Sequence, residues 1–292
     1  MDRSGLTSPV DAPWNPIRCD GTPLPPGWLL AAKLLAFSVF PATSFVAAGP
    51  PFLPFFSIFD SPLFAPWLPW TIAIAFHAAF LCLMFNRLVQ RACLVMAGCI
   101  FLHVASHRLA YANNGLFTGV FLLLIGFHDV RTGLWPLRIQ LALVYGSASL
   151  NKALDRDWWN GQFFDTLMID ALGVRWYQMA AGAFPEHLLG RVFGVFAILT
   201  EATTCAMVLG TRDGRVGVVL MLLFHVAMLV ATWGQLSLVF MYASLAVSAA
   251  FLYSPIRVSV LAREELSRLA TPAMWGFTAL MIRYFPRIRG WL

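Results

Sequence analysis

The sequence predicts an all-α fold: a polytopic integral membrane helical bundle of about eight transmembrane helices, with an interfacial helix after the fifth and an amphipathic C-terminal tail. Three observations lead there. Of 292 residues, 59% are hydrophobic and 12% charged, with a mean hydropathy of +0.72, too apolar for the surface of a water-soluble domain of this size. Apolar runs of about 18 to 22 residues recur between short polar stretches, the length a helix needs to cross roughly 30 Å of hydrocarbon. The period-two alternation of a membrane β-barrel is absent.

Taken in order, residues 1–27 are polar and proline-rich and read as a cytoplasmic N-terminus without a cleavable signal peptide, so the first hydrophobic helix directs insertion. The predicted spans are 28–48, 67–85, 92–107, 116–127, 134–154, 191–209, 216–232 and 235–253, forming one transmembrane domain over 28–253. Between the first two, 49–66 is rich in Pro and Phe with a single charge, Asp60, and reads as a stiff apolar cap on the outer side. Phe163, Phe164, Leu167, Met168 and Leu172 recur at helical spacing and predict an amphipathic helix lying in the outer interface. Residues 254–292 mix arginines with apolar residues and read as a basic amphipathic tail on the cytoplasmic surface, held by anionic lipid.

Charge placement orients this bundle. With a cytoplasmic N-terminus, fifteen of the 20 basic residues fall on inner segments and five on outer ones, as the positive-inside rule requires. The net charge of +6 is thus a matter of topology, and no basic-aromatic module points to nucleic acid. The five cysteines, Cys19, Cys82, Cys93, Cys99 and Cys205, include no C-x-x-C pair, which argues against a disulfide framework or a cysteine metal site. No nucleotide-binding glycine loop or hydrolase serine elbow occurs.

The stretch Tyr145 to Phe164 concentrates the chemistry. An apolar helix reaches Lys152 and then breaks into an acidic, tryptophan-rich segment closed by Gly161, which places an amine where membrane meets water on the outer side. Only two of the 20 basic residues are lysines, Lys33 and Lys152. A lysine can lose its proton where arginine cannot, and a partly buried amine acts as a neutral general base. The alternative is an anchor snorkelling at a helix end.

Polar groups within the other predicted spans gather in their outer halves. His103 and His107 share a helix face, but no H-E-x-x-H motif or partner carboxylate accompanies them, and no metal site is assigned. Glu201, among Thr200, Thr203 and Thr204, reads either as the ionised partner of a histidine or as a protonated acid bonded to the threonines. His225 lies at nearly the depth Lys152 reaches. Asn113-Asn114-Gly115 reads as a cap and turn entering the fourth helix.

Several of these pieces together resemble the membrane portion of the vitamin K-dependent gamma-carboxylase (HTTM) family. They are Tyr145 … Lys152-x5-Trp158-x2-Gly161, the Asn113-Asn114 pair, and Phe224-His225 followed by Trp233-Gly234 and Met241-Tyr242-Ala243-Ser244, after a helix carrying Glu201. The order is the family's, over residues 28–253; Gly115 stands where the family has a histidine, and the resemblance is to short bacterial relatives lacking the large extramembrane domain. It implies a reduced vitamin K or menaquinone in the bundle, O2 and CO2 as co-substrates, and a lysine that deprotonates the hydroquinone. The oxygenated cofactor then drives carboxylation of a peptide glutamate and leaves as epoxide. By this resemblance Lys152 and His225 are the catalytic candidates, and Asn113, Asn114, His103, Tyr145, Trp158 and Glu201 the cofactor-binding ones. The implied setting is a bacterial inner membrane, with both termini cytoplasmic, the site facing outward and an exported peptide as acceptor.

A second reading is non-catalytic: a membrane partner in the maturation or export of a secreted peptide, offering the Pro-Phe segment and Trp176-Tyr177 as an apolar surface, with Lys152 paired to Asp155 or Asp157. A transporter is disfavoured by the lack of a half-repeat.

Overall fold

The structure is a computed structural model that describes residues 24–39, 67–106, 113–129, 133–235 and 238–253. Every regular element among them is helical. The predicted Pro-Phe cap, the basic tail, His107 and Cys19 lie outside the described residues. The chain divides into two compact units, one made of Met1–Gly133 with Leu252–Leu292 and the other of Leu134–Phe251.

The first unit contains α1 (Pro26–Val39), α2 (Leu68–Met84), α3 (Val89–Ser106) and α4 (Asn113–Gly126). α3 packs on both α2 and α4, and α1 on α4. Trp28, Leu35, Phe76, Leu83, Met96 and Leu122 are buried among them. The tight α2–α3 connection is made by Asn86 and Leu88 in left-handed conformations (φ 56° and 47°). Here Lys33 is only 1% exposed and donates from Nζ to the Met84 carbonyl at 3.0 Å. An ammonium at that carbonyl satisfies a group the helix leaves unpaired at its C-terminus.

The second unit contains α5 (Trp135–Leu154), a run of short helices α6 (Arg156–Asn160), α7 (Gln162–Asp165) and α8 (Arg175–Ala181), then α9 (Leu188–Gly210), α10 (Arg215–Ala231) and α11 (Leu238–Tyr253). α5 and α10 both pack on α9, and α6 to α8 cover the beginning of α9. The single interfacial helix expected over 163–172 is therefore a chain of shorter pieces. Gly161 (φ 89°) separates α6 from α7, a π-helical stretch Thr166–Ala171 continues α7, and Gly173 (φ 60°) turns the chain into α8. The expected amphipathicity is present: Phe164 and Met168, one turn apart, join Val174, Tyr177 and Ala197 in a buried cluster.

Glycine sets how closely this cover approaches. A Cβ on Gly194 would strike the Trp158 carbonyl, and one on Gly161 would strike the His187 carbonyl. Backbone therefore meets backbone where the α6–α7 turn crosses α9, which fixes Trp158 relative to that helix.

α9 is held at its other end by Arg138. Its guanidinium donates from Nε to Val208 O (2.9 Å), from Nη2 to Leu209 O (2.8 Å) and Thr211 O (2.5 Å), and from Nη1 to Arg212 O (3.1 Å), while stacking on Trp135 at 4.4 Å. Five donors in a fixed fork suit the converging carbonyls of a helix C-terminus. Arg138, by sequence one of the cytoplasmic charges, is 5% exposed in the fold and ties α5 to α9.

α9, at 23 residues, is long and apolar enough to cross a membrane, and only 39% of its most apolar window is buried. Val192, Phe196 and Leu199 face outward on it, as do Val216, Val219, Leu223, Val226 and Val230 on α10. The α10 set recurs at alternating steps of three and four, a single outward stripe opposite buried Val218, Met221 and His225.

Candidate functional site

Tyr145, Ser149 and Lys152 lie on one face of α5, spaced four and three residues apart, and that face is turned to α9. Ser149 Oγ donates to the Ile198 carbonyl at 2.9 Å. The helices close tightly because Gly146 has no side chain: a Cβ there would sit 3.1 Å from Cys205 Sγ.

Lys152 Nζ donates to both carboxylate oxygens of Glu201, at 2.8 and 2.7 Å. Glu201 is nearly buried (side chain 9% exposed) and Lys152 largely so (20%). The ammonium also lies 5.0 Å from the centre of the Trp158 ring, a cation–π contact, and Trp158 is itself stacked on Phe163 at 4.0 Å. The partner of Lys152 is thus neither Asp155 nor Asp157. Asp155 instead caps α6 by accepting from the Asp157 amide at 3.0 Å, so it is committed to helix initiation. Glu201, for its part, meets an amine and neither a histidine nor a threonine among its hydrogen-bond partners on the described residues.

A second polar group lies on the same face. Tyr145 Oη is 2.6 Å from His225 Nε2 and 3.2 Å from Ser244 Oγ, linking α5, α10 and α11, and Ser248 Oγ donates to the Ser244 carbonyl. With the His225 proton on Nδ1, Tyr145 donates to Nε2 and Ser244 donates to Tyr145. Because Tyr145 and Lys152 lie on the same face of α5, the pair and the chain are neighbours in one polar cluster. A lysine and a carboxylate joined by short hydrogen bonds in apolar surroundings can exist as ammonium–carboxylate or as amine–acid, and the second form is a general base.

Beside the cluster is an apolar cavity of about 170 Å³ lined by Phe164, Trp176, Phe193, Ala197, Phe224 and Met228, among others. Ala197 precedes Glu201 by one helical turn and Phe224 precedes His225, so the cavity and the cluster share α9 and α10. Trp176 donates from Nε1 to the Ala231 carbonyl at 2.7 Å, which spends its one polar atom and leaves an apolar wall.

The remaining candidates lie in the first unit. His103 is a half-buried residue in the last turn of α3, and Asn113 and Asn114 are already the first two residues of α4, within the helix where a cap and turn were expected. The side chains of the two asparagines lie outside the described residues. No group of three His, Cys, Asp or Glu that could hold a metal occurs among the described residues.

One network has no counterpart in the sequence reading. Asp165 accepts from Tyr177 Oη through Oδ1 and meets His187 Nδ1 through Oδ2, both at 2.6 Å, so one carboxylate joins α7, α8 and the cap of α9. Its members are 12 and 22 residues from Asp165 and carry no common spacing signal. Burial, with the Asp165 carboxylate against it, raises the Tyr177 hydroxyl above its usual value near 10. A raised folded pKa gives stability that is complete below the unfolded value of about 10 and lost as pH rises toward the folded one. Thermal melts of the detergent-solubilised protein should therefore fall more steeply above pH 10 than those of Tyr177→Phe. Parallel curves for the two would remove Tyr177 as the cause.

No family model, no curated protein and no solved structure matches the chain. The residues themselves carry the functional argument.

Proposed function

We propose that the chain is a membrane-embedded enzyme of the vitamin K-dependent gamma-carboxylase type, acting on an exported peptide at the outer face of a bacterial inner membrane. In this reading α1 to α5 and α9 to α11 are eight spans, the termini are cytoplasmic, and the outward apolar stripes of α9 and α10 face lipid. The observation that carries it is the largely buried Lys152–Glu201 pair, with Lys152 on the same face of α5 as Tyr145, which bonds His225 of α10.

The cavity suits part of a reduced naphthoquinone. Its volume is close to the roughly 150 Å³ that holds a benzene-sized guest, so it accommodates a ring or a segment of an isoprenoid tail, and its lining offers no polar partner. Tyr145, His225 and Lys152 would meet the oxygens, Phe193, Phe224 and Trp176 the hydrocarbon, and Trp158 would close the Lys152 side. His103, Asn113 and Asn114 stay in the proposal through the resemblance alone. When bound, the quinone supplies the reaction with oxygen and the base strength that peptide carboxylation with CO2 demands. The chain's part is to pass the Lys152 proton to Glu201, take a proton at the freed Nζ, and keep bulk solvent from the pair.

The non-catalytic reading has one observation in its favour. Both oxygens of Glu201 are engaged by Lys152, as in an ion pair that only joins α5 to α9, and arginine would serve such a pair as well. The two readings separate in one assay, conversion of reduced menaquinone or vitamin K to epoxide in oxygenated membranes. Lys152→Ala and Lys152→Arg should each lose on the order of a hundredfold or more, because neither supplies a neutral amine. Full activity in Lys152→Arg would exclude Lys152 as the base, and no epoxide from the wild-type protein would leave the structural pair.

A further inference from the structure

Thr204 is a buried residue of α9, 1% exposed, and its Oγ1 has no hydrogen-bond partner among the described residues. A threonine on or just past a helix can return its hydroxyl to the carbonyl four residues back, as Thr211 does to Met207 (2.6 Å) and Thr232 to Met228 (2.8 Å). Thr204 does not. A buried hydroxyl left without a partner is destabilising, and in native interiors such groups are commonly met by ordered water.

Its place in the bundle supplies the other partners. Thr204 follows Glu201 by three residues, so the two side chains are neighbours on α9. The contacts of Gly146 with Cys205, Ser149 with Ile198 and Arg138 with Val208 set α5 and α9 antiparallel. In that register Thr204 is level with the stretch 142–147, which carries Tyr145. Each Glu201 oxygen accepts one bond from Lys152 and keeps a lone pair, and Tyr145 Oη, with two contacts, has room for a third.

We propose that Thr204 Oγ1 holds an internal water that bridges to the Glu201 carboxylate and to Tyr145 Oη. This water joins the Lys152–Glu201 pair to the Tyr145–His225–Ser244 chain, making one continuous hydrogen-bonded network. It gives Thr204 a positioning role: the hydroxyl fixes the water, and the water fixes the free lone pairs of Glu201. Its use as a path for the proton taken up at Lys152 rests on the acid–base function proposed above, whereas the water itself does not.

The experiment is therefore independent of any quinone. Thr204→Val keeps the shape of the side chain and removes the hydroxyl. If a water is bound, the solubilised variant melts below wild type by roughly 2–4 °C. If the hydroxyl is without a partner, removing it raises the midpoint, and a midpoint at or above wild type overturns the proposal. High-resolution maps of wild type and Thr204→Ser, which retains the hydroxyl, should both show a density peak within hydrogen-bond reach of residue 204. Its absence from the wild-type map overturns the proposal whatever the melting data. A wild-type protein that forms no epoxide yet passes both tests loses the enzymatic reading and keeps the water.

Discussion

Glu201→Leu is expected to destabilise the protein by about 3 kcal/mol, whereas Lys152→Met combined with Glu201→Leu should lie within roughly 1 kcal/mol of wild type. The asymmetry follows from burial. Removing the carboxylate alone leaves an ammonium in an apolar helix interface whose next contact is the Trp158 ring at 5.0 Å. Replacing both removes the desolvation of two charges along with their attraction, and two apolar side chains fill similar space. Lys152 keeps a 20% exposed side chain and can swing its head outward in the single variant, so the lower end of the range for broken buried pairs applies. A double-mutant cycle on thermal midpoints measures the coupling. Coupling under about 0.5 kcal/mol would mean that the pair is solvated and that Lys152 is a surface anchor.

Arg138→Ala should cost a similar amount, on the order of 3–4 kcal/mol, by a different route. Four carbonyls at and beyond the end of α9 lose their donor at once, and hydrogen bonds to a charged group contribute about 1.5–3 kcal/mol each before relaxation and water entry reduce the sum. Arg138→Lys should recover less than half of the loss, since one ammonium cannot span carbonyls that a planar fork reaches together. Hydrogen exchange in the last two turns of α9 provides the local readout: protection should fall there first and only later around Glu201. Unchanged exchange at Val208 to Thr211 would show that the carbonyls find other donors.

How much was legible in advance depends on how local each property is. Helix positions were. The predicted spans 134–154, 191–209 and 216–232 fall within three residues of α5, α9 and α10 at each end, because runs of apolar residues and their Gly and Pro boundaries are written in consecutive sequence. The interfacial segment was half legible: Phe164 and Met168 gave its buried face, but its break into α6, α7 and α8 depends on the φ values of Gly161 and Gly173. Gly194 carried no readable message, since its reason is the Trp158 carbonyl pressed against it.

The sequence by itself determined the all-helical class, the helix order, and that Lys152, Glu201, Tyr145 and His225 are polar groups on otherwise apolar helices, where each needs a partner. Which partner was decided by tertiary structure alone. Lys152 has Asp155 and Asp157 close by in the chain, yet it bonds Glu201 across 49 residues, and Tyr145 bonds His225 across 80. The physical reason is register. A helix fixes which of its own residues share a face, whereas the match between two faces is set by contacts made along their whole length, here the Gly146–Cys205 approach and the Arg138 clamp. Once those seat α5 against α9, the carboxylate at Lys152 is the one across the interface.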